Sequence, residues 1–504
     1  MKKSISLLLV FALLLCVFSS CGQPAEEEPS APTEGEYKLP TPVIRADIAL
    51  PYTGAEKIDV YASESELNRD LLCTVYEGLF YPSADGKGSP VLASSYQISG
   101  KSVTVKLLQG VKFSDGTELT AAAVKFSYDK AKNCKWYSEA LADIESVTAI
   151  DNYTVRFSFY SQNDMPANTL AFPIVKQKDG VYSGTGKYTL AFLDGEPYLE
   201  VNKLYRSYSE KYNRQVALYD MSGVSSPVYP FKANKISVYK NTLADGQYTN
   251  LSSQTVSLTT DNLVYIGLNS TRSGSLASME WLRHVINIGI SRSTIGSSSF
   301  LGQTDVTVTP FKAQFYKLAD MELAAPAGDT QRAAALLEEH GFIKQNADGI
   351  KTDGAVSLRL SLLVCSDNPY KVGVAETVKQ SLEALGIGVN IQKRNSEDYV
   401  AALEEGYFDM YIGEVSLTAD CSLKPFFKKN GSASYGISDA AAESYSDYLN
   451  GSTTVSQFVE NFYMLAPFVP LFYRKTVVSV NPNITGCAAN GNYLYASVSD
   501  WQLS

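Results

Sequence analysis

The chain has 504 residues, about three domains at roughly 150 residues each, and its 45% hydrophobic and 19% charged content is globular rather than disordered. Its 53 acidic and 43 basic residues leave a formal charge of -10, which argues against general nucleic-acid binding, a process driven by phosphate neutralisation. His284 and His340 are the only histidines, so any centre built on three imidazoles is excluded and a Ser–His or Cys–His pair has two candidates. The 33 tyrosines suit ligand pockets and strands alike.

The N-terminus opens with Met1-Lys2-Lys3, an apolar run over 5–18 and Ser19-Ser20-Cys21-Gly22. A basic start, an apolar stretch and small residues before a cut spell an export signal over 1–20. The run is shorter than the ~20 residues a spanning helix needs. Cys21 is placed as in a bacterial lipoprotein signal, which it resembles, and that resemblance implies acylation of its thiol. Residues 21–42 are rich in Pro, Glu, Ser and Ala, cannot build a core and read as a tether. Beyond Cys21 come Cys73, Cys134, Cys365, Cys421 and Cys487, an odd set without a CxxC. Buried thiols are expected rather than a disulfide framework.

The body starts near Val43. Ser102-Val103-Thr104-Val105-Lys106-Leu107 and Thr154-Val155-Arg156-Phe157-Ser158-Phe159 alternate as strands, with a helix from Thr120 between them, so 90–160 is predicted to be an α+β unit. Residues 279–290 carry a helical apolar stripe. Asp329 is set to cap a helix ending before Gly341. A strand over 358–364 follows, then a helix capped by Ser366 or Asp367 that stops at Gly386, a strand over 388–393, a helix capped by Ser396, and a strand over 408–413. This βαβαβ run predicts a parallel sheet, which binds ligands at the carboxyl ends of its strands.

Several motifs are incomplete. Gly184-Thr185-Gly186-Lys187-Tyr188 lacks the first glycine and the hydroxyl of a P-loop and the third glycine of a dinucleotide fingerprint, so a tight backbone turn is expected. Ser366-Asp367-Asn368 and Ser127-Tyr128-Asp129-Lys130 match penicillin-binding elements, but no Lys-Thr-Gly follows. Neither histidine stands in a catalytic motif.

Val75-Tyr76-Glu77-Gly78-Leu79-Phe80, Pro90-Val91-Leu92-Ala93 and Gly110-Val111-Lys112-Phe113-Ser114-Asp115-Gly116 resemble the extracellular solute-binding proteins of peptide and nickel ABC importers. So do Gly184-Thr185-Gly186-Lys187-Tyr188, Leu382-Glu383-Ala384-Leu385-Gly386-Ile387, Phe408-Asp409-Met410 and Pro467-Phe468-Val469-Pro470-Leu471-Phe472. The resemblance implies an α/β, periplasmic-binding-protein-like two-lobed fold with a cleft and an extra α+β domain on the first lobe. It places a discontinuous lobe I at 43–60, 165–255 and 475–504, the extra domain at 61–164 and lobe II at 256–474.

The function so implied is extracytoplasmic capture of peptides and delivery to ABC permease subunits by a lipid-anchored monomer. Neither catalysis, nor a cofactor, nor a resident metal, nor nucleic acid enters that reading. The same fold binding an oligosaccharide or a nickel or other metal chelate is the alternative, and a surface hydrolase is a third. Asp420, reached through Ser416, Leu417, Thr418 and Ala419, is the counterpart of the acid that pairs with a peptide ammonium. Here Leu417 stands where the family has an aromatic residue. The strand 411–416 is expected to pair with an extended peptide, and Ser63 and Glu64 are expected on a facing strand.

Overall fold

The computed structural model describes residues 44, 46–244, 248–488 and 493–504. The expected export signal, Cys21 and the tether lie outside the described residues.

Three larger sheets carry the fold. In the first, Ala49–Tyr52 runs parallel to Gln215–Asp220, and Glu196–Val201 and Tyr188–Leu193 continue antiparallel. Its apolar face buries Ile48, Leu50, Leu199 and Val216 against Val478, Val480 and Trp501 from the far end of the chain. The second sheet is antiparallel: Ala93–Ser99, Ser102–Leu107, Thr154–Phe159 and Ile144–Asp151, in that order. The predicted alternation holds in both strands read from sequence, with Val103, Val105, Val155 and Phe157 turned into one core beneath the helix Ala121–Ala131.

The family-like motifs near the first sheet are joints. Glu77 is 3% exposed and takes both Arg206 nitrogens, at 2.6 and 2.9 Å, and the Thr185 hydroxyl at 2.9 Å. Gly184 and Gly186 flank that threonine. A Cβ on them would lie 2.0 Å from the Val75 carbonyl oxygen and 2.3 Å from that of Thr74. The Gly-Thr-Gly segment is thus a close approach of backbone to the end of the helix Glu66–Val75.

The third sheet has seven strands. Gly388–Arg394, Arg359–Cys365 and Met410–Ser416 are parallel, as the βαβαβ pattern predicts. The long strands Thr255–Leu268 and Phe468–Val480 extend the sheet antiparallel. Two helix caps differ from expectation. Asn368, not Ser366 or Asp367, accepts the N–H groups of Tyr370 and Lys371, because Pro369 takes the first helical position. Asn395, not Ser396, accepts from Asp398.

The strand expected at 408–413 runs to Ser416. Gly413 pairs with Tyr265 and Gly267 with Tyr411 across the same ladder. Each glycine leaves room for the ring opposite: a Cβ would lie 2.3 Å from Tyr265 Cζ at Gly413 and 1.9 Å from Tyr411 Cε1 at Gly267. The two phenol oxygens meet at 3.2 Å. The sheet separates two cores. Leu362, Val364, Met410 and Ile412 pack with Val374 and Val378 of the helix Pro369–Glu383. Leu363, Tyr411 and Val415 pack with Leu403, Phe426 and Phe458 on the other face.

Glu414 points toward the first of these faces. Lys371 Nζ lies 2.9 Å and Arg474 Nε 2.8 Å from its carboxylate, and Arg474 is nearly buried. Burial alone raises a carboxyl pKa, but the two cations outweigh it and hold Glu414 below the usual glutamate range. A depressed folded-state pKa gives stability that is present above the unfolded value and lost as pH falls through the folded one.

Gly413→Ala is expected to lower unfolding stability by ~1–3 kcal/mol, because the Tyr265 ring has to move. Urea denaturation measures it, and a parental midpoint would contradict the packing. Glu414→Gln is expected to cost ~3–5 kcal/mol at neutral pH, by stranding the buried Arg474 cation. The same titration repeated at falling pH is expected to show the deficit shrinking below the ordinary glutamate range. A deficit independent of pH would mean that the pairing is not its source.

Candidate ligand-binding site

The parallel strands Arg359–Cys365 and Met410–Ser416 pair only through Leu362↔Met410 and Leu363↔Tyr411. Beyond that they diverge. The helix Pro369–Glu383 leaves one and packs on one face, while Ser396–Glu405 contributes Leu403 to the other. Divergence at the carboxyl ends, with connections on opposite faces, creates the crevice in which open α/β sheets bind ligands.

The strand Met410–Ser416 pairs along its whole length with residues 262–268. Its other edge is taken at Tyr411 by Leu363, so a peptide strand cannot add at Tyr411 as expected. Residues 412–416 have no strand partner on that edge among the described residues. Ser416 is exposed. Leu417 N–H donates to the Asp261 carbonyl at 2.9 Å, and its side chain is 5% exposed within the aromatic core. Leu417 therefore anchors the turn and does not line a ligand surface.

The chain then turns through residues 418–421, closed by Cys421 N–H on the Thr418 carbonyl at 2.8 Å. Cys421 takes a left-handed conformation with φ 53°. Asp420 sits in this turn, half-buried. Its Oδ1 accepts from the Thr418 hydroxyl at 2.5 Å, and its Oδ2 accepts from the Thr169 hydroxyl at 2.8 Å and Asn163 Nδ2 at 3.2 Å. Among the described residues no cation pairs with it. Its two acidic neighbours differ: Asp143 pairs with Lys424 at 2.9 Å and Asp164 with Lys317 at 2.7 Å. These three carboxylates line a cavity of about 30 Å³, room for a water- or ammonium-sized group.

A second charged pair braces the turn. Lys312 Nζ lies 2.5 Å from Asp261 Oδ1 and 5.6 Å from the centre of the Tyr473 ring. Burial opposes the Lys312 charge, but Asp261 outweighs it and keeps the ammonium pKa raised. Burial also pushes the Cys421 thiol up to about 11, so it is a packed thiol and not a nucleophile at neutral pH.

The other expected site residues lie elsewhere. Residues 60–62 form a turn and 63–64 are irregular, so no facing strand stands there. Ser63 is 2% exposed, accepts from Asp59 N–H at 2.8 Å and donates to the Lys57 carbonyl at 3.2 Å. Glu64 is exposed, with its N–H on Glu56. None of these bonds reaches residues 416–420. Both histidines pack on aromatic rings: His340 stacks on Trp281 at 4.3 Å and His284 meets Tyr463 edge-on at 4.9 Å. Sequence reasoning missed Asp261, Lys312, Asn163 and Thr169. Only a charged residue within an apolar strand, as at Glu414, signals from sequence that a buried partner is needed.

Residues 87–434 match the family described as bacterial extracellular solute-binding proteins, family 5 Middle. The glutathione-binding protein of Pectobacterium atrosepticum is 38% identical over 122 residues, 23% of this chain and 24% of that protein, so the chain spans about a quarter of that relative's length. The glutathione-binding protein of Salmonella paratyphi A is 24% identical over 484 residues, 85% of this chain and 89% of its own. The periplasmic murein tripeptide-binding protein MppA, in its unliganded open form, superposes with a TM-score of 0.70 at 16% identity, covering 92% of this chain and 99% of its own. That last likeness is one of fold: the two-lobed periplasmic-binding-protein architecture. The matched region covers most of the chain, and the chain belongs to the bacterial extracellular solute-binding proteins of family 5.

Proposed function

We propose that this chain captures peptides through their free ammonium group, with Asp420 as its partner, and hands them to the permease subunits of an ABC importer while acyl chains on Cys21 hold it at the membrane. The carrying observation is the unpaired charge of Asp420. It is half-buried, held by neutral donors alone, and stands beside an ammonium-sized cavity at the carboxyl end of the strand Met410–Ser416. A partly desolvated carboxylate in that position gains most from a cation. Beyond Ile412, whose carbonyl accepts the Tyr399 hydroxyl at 2.8 Å, residues 413–416 have no strand partner on that edge among the described residues and add main-chain groups for an extended peptide whatever its side chains. Two relatives are named for glutathione and a murein tripeptide, and both of those ligands are peptides. At the membrane, two or more acyl chains give stable anchoring, and residues 22–42 supply the reach.

Calorimetry on Asp420→Asn is expected to show free-amine peptides losing ~1.5–3 kcal/mol, the worth of a charge-assisted hydrogen bond, while N-acetylated peptides bind as they do to the parent. Equal affinity of the free-amine peptide for both proteins would overturn Asp420 as its anchor. For the anchor, Cys21→Ser is expected to move the expressed protein from the detergent phase to the aqueous phase. Retention in the detergent phase would refute acylation at Cys21.

A further inference from the structure

Two of the three donors on Asp420, Thr169 and Asn163, come from segment 162–169. Segment 162–169 belongs to the first half of the molecule by packing, since Ala167 and Leu170 lie in one core with Phe80 and Val105. Yet Met165 is inserted into the aromatic core of the second half, with Phe311 and Phe315. The polar groups of the segment follow it across. Asp164 meets Lys317 at 2.7 Å and accepts from the Tyr448 hydroxyl at 3.0 Å. Gln162 N–H donates to the Leu449 carbonyl at 2.8 Å, and Asn168 Nδ2 to the Ala419 carbonyl at 2.8 Å. Thr169 and Asn163 complete the set on Asp420 Oδ2.

We infer that segment 162–169 is a latch that ties the two halves together by occupying Asp420 Oδ2, so that an ammonium taking this oxygen has to displace Thr169 and Asn163. The inference rests on Asp420 as the ammonium's partner. Its physical basis is competition for one oxygen. Asp420 Oδ2 already accepts two bonds, a carboxylate oxygen has about two lone-pair sites, and a tethered competitor acts at a high effective concentration. A solute without an ammonium gains nothing by opening the latch, so the same contacts that hold the halves together discriminate between ligands.

Two measurements on the purified full chain test this. Hydrogen exchange followed by mass spectrometry reads the latch with no peptide added, and calorimetry with trialanine and N-acetyl-trialanine reads the competition. In the parent, the amides of 163–169 and 418–423 are expected to be protected. Thr169→Val keeps the shape but loses the donor. It is expected to speed exchange in both segments and tighten trialanine binding about tenfold, 1.4 kcal/mol, leaving N-acetyl-trialanine unchanged. Lys317→Met weakens the latch away from Asp420 and is expected to speed the same exchange, which guards against a Thr169 variant that fails to fold. Parental exchange rates in both variants would overturn the latch, as would weaker trialanine binding by a folded Thr169→Val protein. Faster exchange with equal gains for both peptides would keep the latch but overturn Asp420 as the ammonium's partner.

Discussion

Two antiparallel strands, Thr255–Leu268 and Phe468–Val480, run from one core of the molecule into another. Leu258, Val478 and Val480 pack with the first sheet, while Val264, Ile266, Val469 and Leu471 pack in the core of the third. Between those ends the ladder slips: Thr259 pairs with Lys475 but Leu263 with Tyr473, so residues 260–262 face only Arg474. A bulge of this kind bends and twists the strand. On the opposite edge the ladder with Met410–Ser416 continues regularly, so that the Asp261 carbonyl receives Leu417 N–H, while the Asp261 side chain receives Lys312. The turn that presents Asp420 hangs from Asp261.

The buried charges near the break follow the same logic. Glu414 lies two residues before Ser416 and is flanked by buried residues on its strand. A lone carboxylate there would be expelled or protonated. Lys371 from the first turn of the helix Pro369–Glu383 and Arg474 from the slipped strand make the charge tolerable and tie three elements together. Such pairs contribute little net stability compared with apolar packing, but breaking one is costly. Their effect is to fix which elements meet at the end of the crevice. Asp420 is held differently, by neutral partners alone, as is Asp409 just before the start of the strand.

Local order was legible in the sequence where local chemistry decides it. The alternation of Val103, Val105 and Leu107 and of Val155, Phe157 and Phe159 placed both central strands of the second sheet. Asp329 and Gly341 bounded their helix as read. The reading failed where a distant partner decides. Gly413-Glu414 looks like the end of a strand, yet the strand continues because Tyr265 fills the space over the glycine and two cations neutralise the acid. One miss was local: Asn368 caps its helix in place of Ser366 or Asp367 because a proline follows it. Leu417 has the position expected of a ligand contact, but the aromatic core claims it. Thr169 and Asp420 are 251 residues apart, and no periodicity or spacing links them. The Asp420 turn itself was reached through family resemblance rather than local pattern.

A binding protein of this kind is defined by what it holds, and for this chain the central claim is a peptide ammonium at Asp420. The most direct measurement is mass spectrometry of the solute that co-purifies with the native chain, before and after treatment with an amine-reactive reagent. Peptide capture through the ammonium predicts a ladder of peptide masses, each shifted by modification at a free terminal amine once released. A single non-peptide mass, such as an oligosaccharide or a metal chelate, would contradict it.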